Sequence, residues 1–159
     1  MDKTRVSLDE TYMRVAEVWA TRSHARRKKV GALIVNVDQK RTIAEGYNGT
    51  PSGFDNNCEI EIEKKYETAN PDNAQTYMEL VTSPFVLHAE LNALMKVARS
   101  TDSTNGCTLY VTMSPCMECS KMMIQAGIKR VVFREKYRID DGVEMLRKAG
   151  IQVEQLLGE

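Results

Sequence analysis

The chain has 159 residues, with 22 Lys plus Arg against 22 Asp plus Glu and a formal net charge of zero. That length suits one domain, residues 1–159, which can bury about two thirds of its unfolded surface without disulfides. Zero net charge argues against extended nucleic acid as the main partner, and no apolar run approaches the ~20 residues that span a bilayer. The first residues do not form a signal-peptide pattern, so we expect a cytoplasmic protein with reduced thiols and no membrane partner.

In chain order, Ser7 and Glu10 form a capping-box pattern, and Leu8, Tyr12, Val15, Ala16 and Trp19 recur at helical spacing, which predicts a helix over 8–21. Residues 22–29 hold five cations, a run that is either a solvated face or an anion site for a phosphate. The β-branched runs 30–37 and 41–47, joined by Asp38-Gln39-Lys40, predict a hairpin. Residues 48–53 are a loop by composition. Residues 55–84 are polar and poorly periodic, and are expected to be an insertion with at most one short helix.

Beyond it, Leu91, Leu94, Met95 and Ala98 mark a helix within 84–99, followed by a strand over 107–112. Ser114 is a good N-cap and Pro115 a good first helical residue, with Cys119, Met122, Met123 and Ala126 as the apolar stripe and Gly127 as the stop. A strand at 130–133, a helix at 140–149 and a strand at 151–156 complete an α-β-β-α-β-α-β-α-β order. That order implies an α/β fold, a mixed five-stranded sheet with helices on both faces.

Two short strings carry the chemistry: His88-Ala89-Glu90 and Pro115-Cys116-Met117-Glu118-Cys119. Cys116 and Cys119 are one turn apart at the start of a helix, where the dipole favours thiolate, the metal-binding form. His88 begins another helix and supplies an imidazole. Three such ligands leave a fourth position open for water, the pattern of a catalytic zinc. Glu90, two residues on, is displaced around the helix from His88 and need not bind metal, so it can carry the proton of that water. Taken alone, C-x-x-C also fits a redox motif or half a zinc ribbon, and His88 and Glu90 could be an ordinary cap and a surface residue. The joint pattern favours a zinc enzyme.

The chain resembles the zinc-dependent cytidine deaminase superfamily over almost its whole length, and more closely the deoxycytidylate (dCMP) deaminases. The resemblance rests on Val30-Gly31-Ala32-Leu33-Ile34-Val35, Gly46-Tyr47-Asn48-Gly49-Thr50-Pro51-Ser52-Gly53, His88-Ala89-Glu90-Leu91-Asn92-Ala93-Leu94 and Tyr110-Val111-Thr112-Met113-Ser114-Pro115-Cys116. The second segment discriminates most, because tRNA adenosine deaminases differ after the equivalent Asn. The resemblance implies a three-layer cytidine-deaminase-like fold, zinc on His88, Cys116 and Cys119, Glu90 as proton shuttle, the Ala89 N–H on the pyrimidine carbonyl, and Asn48 on the sugar. Substrate contacts are also expected from Ser114, and a phosphate clamp from among Arg22, Ser23, Arg26, Arg27 and Tyr137. It further implies hexamers activated by dCTP and inhibited by dTTP with magnesium, through Gly49, Thr50, Pro51 and Gly53. Arg99 matches an arginine linked to effector response near a subunit interface.

Those features have plainer readings: a tight turn for 49–53 and a helix C-terminal cation for Arg99. Some relatives hold a second, structural zinc. Here Cys58 occupies one of its ligand positions, but Ala25 and Val86 stand at or near others, so one zinc per chain and a free Cys58 thiol are expected. Two rivals remain: a deaminase of another base, such as tRNA adenosine or free cytosine, and a non-enzymatic zinc protein on the same fold.

Overall fold

The computed structural model describes residues 5–67, 72 and 74–158. Four helices and seven strands follow in the order α1 (Leu8–Ala20), β1 (Gly31–Asn36), β2 (Arg41–Tyr47), β3 (Glu59–Lys65), β4 (Thr76–Thr82), α2 (Ala89–Ala98), β5 (Thr108–Met113), α3 (Met117–Gln125), β6 (Arg130–Glu135), α4 (Asp141–Lys148) and β7 (Gln152–Gln155). The main sheet has the order β2-β1-β5-β6-β7. It is mixed as expected: β1 is antiparallel to β2 and β5, while β5-β6 and β6-β7 are parallel.

Alternation along the strands builds three layers. Ala32, Ile34, Leu109, Val111, Val131 and Phe133 join one buried cluster with residues of α2, α3 and α4, while Leu33, Val35, Tyr110 and Val132 join another with Tyr12, Met13 and Ala16 of α1. Period-two side chains must face opposite ways, so strands apolar on both faces need helices on both. Gly46 lets α2 lie directly on β2: a Cβ there would come within 2.2 Å of the Ala89 carbonyl oxygen. Asn92 Nδ2 donates to the Tyr47 carbonyl at 2.8 Å across the same junction.

Three expectations are corrected. The expected element order left no strand within 55–84, yet its described part forms an antiparallel hairpin, β3-β4, separate from the main sheet, while residues 68–71 and 73 of the stretch where a short helix was expected lie outside the described residues. The signal is the alternation Glu59-Ile60-Glu61-Ile62-Glu63, which is a strand period. The helix after β5 begins later than Ser114: Cys116 is its N-cap, with φ −76° and ψ 169°, and Met117 its first residue. Pro115 holds Ser114 out of the helical region, and the Ser114 hydroxyl instead accepts the Tyr137 N–H at 2.7 Å. At α1 the Ser7 hydroxyl does accept the Glu10 N–H, but the Glu10 carboxylate pairs with Arg14 and Arg134 and does not close the capping box.

Candidate active site

Helices α2 and α3 aim their N-termini at one place. His88 is the N-cap of α2 and Cys116 that of α3, and neither side chain caps its own helix. Both are thereby free to point away from the helix axis. Cys119, three residues into α3, stands one turn above Cys116. His88 Nδ1 lies 3.5 Å from Cys116 Sγ and 3.4 Å from Cys119 Sγ. The three donors lie within 4.8 Å of one another and form the metal-ligating group found among the described residues.

That spacing fits zinc. Bonds of ~2.3 Å to sulfur and ~2.0 Å to nitrogen at tetrahedral angles place N and S about 3.5 Å apart. Three protein ligands leave one vertex for water. Without a metal the group shares protons: the Cys116 thiol is pulled down to about 3 by hydrogen bonds from Cys119 and His88. Cys119 is pushed up by its bond to that thiolate and by burial. His88 is raised by Cys116 against the opposing effect of burial.

Glu90 sits beside the group and does not join it. It is 4% exposed, and burial lifts its carboxyl to about 6. A carboxyl titrating there can both take and return a proton near neutral pH.

His88, Glu90 and Cys116 line a cleft of ≈ 280 Å³. His88, Ala89 and Glu90 come from α2, Met113, Ser114 and Cys116 from the end of β5, and Asn48 from the end of β2. Tyr137 follows β6, Arg27 and Lys28 precede β1, and Cys58, Glu59 and Thr82 belong to the base of the hairpin. Ala89 presents a first-turn N–H that has no intrahelical partner. Asn48 also ties the chain: its Oδ1 accepts the Val30 N–H at 2.8 Å and its Nδ2 donates to the Lys28 carbonyl at 2.9 Å. One amide hydrogen and one lone pair remain.

Among the sequence-derived clamp residues, Arg27 and Tyr137 line the cleft, whereas Arg22, Ser23 and Arg26 do not. Ser23 is buried, and its hydroxyl donates to the Asn48 carbonyl at 2.7 Å. Arg26 leans on Glu59, with Nε 3.7 Å from Oε2. Lys28 lines the cleft, although it is not among the sequence-derived candidates, and it pairs with Glu135. Arg27 has no carboxylate within ion-pair distance among the described residues.

Gly49, Thr50, Pro51 and Gly53 lie outside the cleft lining. Gly49 and Leu87 exchange backbone hydrogen bonds of 3.1 and 2.9 Å, which ties the loop to the residue before His88. The Phe54 N–H closes a turn onto the Pro51 carbonyl, with Gly53 at φ 92°. Arg99 is the C-cap of α2, at the opposite end of a ten-residue helix from His88, roughly 15 Å away. Ala25, Cys58 and Val86 line one part of the cleft, and only Cys58 among them carries a ligating side chain.

Residues 6–135 match the family model described as "Cytidine and deoxycytidylate deaminase zinc-binding region". The chain is 42% identical over 133 residues to a deoxycytidylate deaminase of Homo sapiens, covering 83% of this chain and 67% of that protein. It is 36% identical to the deoxycytidylate deaminase of Enterobacteria phage T4, covering 90% and 86%. It thus spans about two thirds of the mammalian relatives and most of the phage one. A dCMP deaminase from the cyanophage S-TIM5, solved in complex with dCMP and dUMP, superposes with a TM-score of 0.79 at 42% identity, covering 96% of this chain and 99% of that one. No helix among the described residues is long and apolar enough to cross a membrane. With its zinc-ligand geometry, fold and sequence in agreement over most of its length, the chain belongs to the cytidine and deoxycytidylate deaminase family.

Proposed function

We propose that this chain, acting as one domain over 1–159, is a dCMP deaminase that hydrolyses dCMP to dUMP and ammonia. The observation that carries the reading is the buried Glu90 beside the His88, Cys116 and Cys119 group, in a cleft lined by Arg27, which has no carboxylate within ion-pair distance among the described residues. The likeness to named deoxycytidylate deaminases supports the choice of dCMP.

His88, Cys116 and Cys119 would hold one zinc per chain, which supplies Lewis-acid activation of water and stabilisation of negative charge on oxygen. Glu90 takes one proton from the water as its oxygen bonds to C4 of the cytosine and delivers it to N3. It then takes the second proton from the C4 hydroxyl and passes it to the amine, so that the C4–N bond breaks, ammonia leaves and the C4 carbonyl forms. The Ala89 N–H donates to the pyrimidine carbonyl. The remaining capacity of Asn48 serves the sugar, and Ser114 holds the Tyr137 segment in place beside it. Arg27 takes the phosphate, with Lys28 joining once it leaves Glu135. Arg22, Ser23 and Arg26 drop to supporting positions.

The test is ammonia release from dCMP, CMP, deoxycytidine, cytosine and an adenosine-containing RNA hairpin by the zinc-loaded protein. Preference for dCMP is expected. Preference for cytosine or RNA would establish the rival substrate, and no release from any of them would favour a non-enzymatic zinc protein.

Regulation is part of the same reading. A homo-hexamer would bring Arg99 of one copy near the Gly49, Thr50, Pro51 and Gly53 loop of another, where dCTP or dTTP with magnesium binds. The bonds between Gly49 and Leu87 favour this, because they join the loop to the ligand-bearing end of α2. Sigmoid dCMP kinetics that dCTP straightens and dTTP deepens are expected, with a hexamer mass by light scattering. Hyperbolic kinetics indifferent to both nucleotides would remove the allosteric part and leave the deaminase.

A further inference from the structure

The phosphate clamp is held in shape by a residue from a different part of the chain. Glu59 opens the hairpin, and its side chain is 4% exposed. One of its oxygens, Oε1, accepts two consecutive backbone N–H groups, from Arg26 at 2.9 Å and from Arg27 at 3.0 Å. The other, Oε2, faces Arg26 Nε at 3.7 Å. Two adjacent peptide N–H groups converge on one anion only when their backbone is curled around it. The carboxylate therefore dictates the direction in which the next side chain leaves the chain. That side chain is Arg27, on the wall of the cleft. Other bonds anchor the loop on either side, the Ala25 N–H to Ser23 Oγ at 3.1 Å and Asn48 Nδ2 to the Lys28 carbonyl at 2.9 Å, but among the described residues it is Glu59 that binds the backbone of Arg27 itself.

We propose that Glu59 is a positioning residue for phosphate recognition: it holds the Arg26 and Arg27 backbone so that Arg27 points at the 5′-phosphate of the bound nucleotide. The proposal rests on the dCMP reading above. Glu59 acts through Arg27 and moves no proton.

The test is equilibrium binding of dUMP and of deoxyuridine to the zinc-loaded chain by titration calorimetry. The parent binds dUMP more tightly than deoxyuridine. Glu59→Ala weakens dUMP tenfold or more and leaves deoxyuridine within twofold. Glu59→Gln, whose amide oxygen can still accept both N–H groups, restores most of the dUMP affinity. Glu59→Asp, one methylene short, does not. A folded Glu59→Ala protein with the parental dUMP to deoxyuridine ratio overturns the proposal. Should Glu59→Ala not fold, a parental ratio in Glu59→Asp overturns it equally. A parent that binds both ligands alike, or neither, overturns the phosphate reading itself and this role with it, and that outcome is visible before any variant is made.

Discussion

His88 and Cys116 stand at the same position of two different helices. Each is an N-cap with extended backbone, at φ −71° and ψ 157° for His88 and φ −76° and ψ 169° for Cys116, and Nδ1 of one lies 3.5 Å from Sγ of the other. An N-cap side chain normally bonds back to its own helix. Here both give up that bond, and the two positive helix ends meet at the donors instead. The thiolates gain from two dipoles, and the loss of two caps is left for the metal to offset.

The proton shuttle is tested by Glu90→Gln. The amide is nearly isosteric and cannot exchange the proton, so zinc content by atomic absorption should stay at one per chain. Deamination should fall by about 10²–10⁴-fold or more. Activity within tenfold of the parent would exclude the role.

Metal removal should expose the coupled thiols. After chelation the hydrogen bonds from Cys119 and His88 hold the Cys116 thiol well below its ordinary value. Its alkylation rate should stay flat from pH 9 to pH 5, whereas an ordinary thiol with a pKa near 8.5 slows about tenfold per unit below it. Cys119, buried and shifted the other way, should stay unreactive. Zinc should protect Cys116. Mass mapping of alkylated peptides across pH, with and without zinc, reads all three.

Arg27→Ala should raise KM for dCMP about 10- to 100-fold with a smaller change in kcat, the scale of one charge-assisted phosphate contact. Arg22→Ala should change neither by more than about twofold. Steady-state kinetics on the pair would reassign the clamp if the order were reversed.

Gly142 starts α4 against the ligand turn: a Cβ there would lie 2.3 Å from the Pro115 carbonyl oxygen and 2.6 Å from the Cys116 carbonyl carbon. Gly142→Ala must push the Cys116 backbone aside. Overpacking of this kind costs about 1–3 kcal/mol. Zinc affinity, measured by competition with a chromophoric chelator, should weaken along with stability to urea.

Acid stability should track α1. Arg134 bonds both oxygens of the buried Glu10 at 2.9 Å, and Arg130 holds Asp9 and Glu154. All three carboxyls lie below their ordinary values: Arg130 lowers Asp9 and Glu154, and Arg14 with Arg134 outweighs the burial of Glu10. A depressed folded pKa adds stability above the unfolded value of ~4, and that stability is lost as the pH falls through the folded one. Arg134→Met should therefore cost about 1.5–3 kcal/mol at pH 7, the scale of hydrogen bonds to a charged group, because Arg14 still pairs with Glu10, and less at pH 3. Urea melts at both pH values check this.

Local chemistry made much of the fold legible. Gly127 and Gly150, both at positive φ, stop α3 and α4 where turn chemistry predicts. The central strands β1, β5 and β6 announce themselves through dense apolar runs that only burial on both faces explains, whereas the edge strands β2 and β7 are weaker. The hairpin has no such run: Ile60 and Met78 remain 41% and 58% exposed, and its one signal is the Glu-Ile alternation of 59–63. Its role at the cleft was equally hidden, since Glu59 acts 32 residues from its partner Arg27 and no local signal marks a bond across that distance.

Sequence alone determined which atoms are available: one imidazole, two thiols at one-turn spacing and a nearby carboxylate, because donor chemistry and helix periodicity are properties of neighbours. Tertiary structure decided how those atoms meet. It set two helix N-termini face to face, buried Glu90 so that its carboxyl rises to about 6, and brought Arg27 and Lys28, out of a run of five cations, to the cleft wall. Distance, burial and pairing arise between segments far apart in the chain, and only packing brings those segments together.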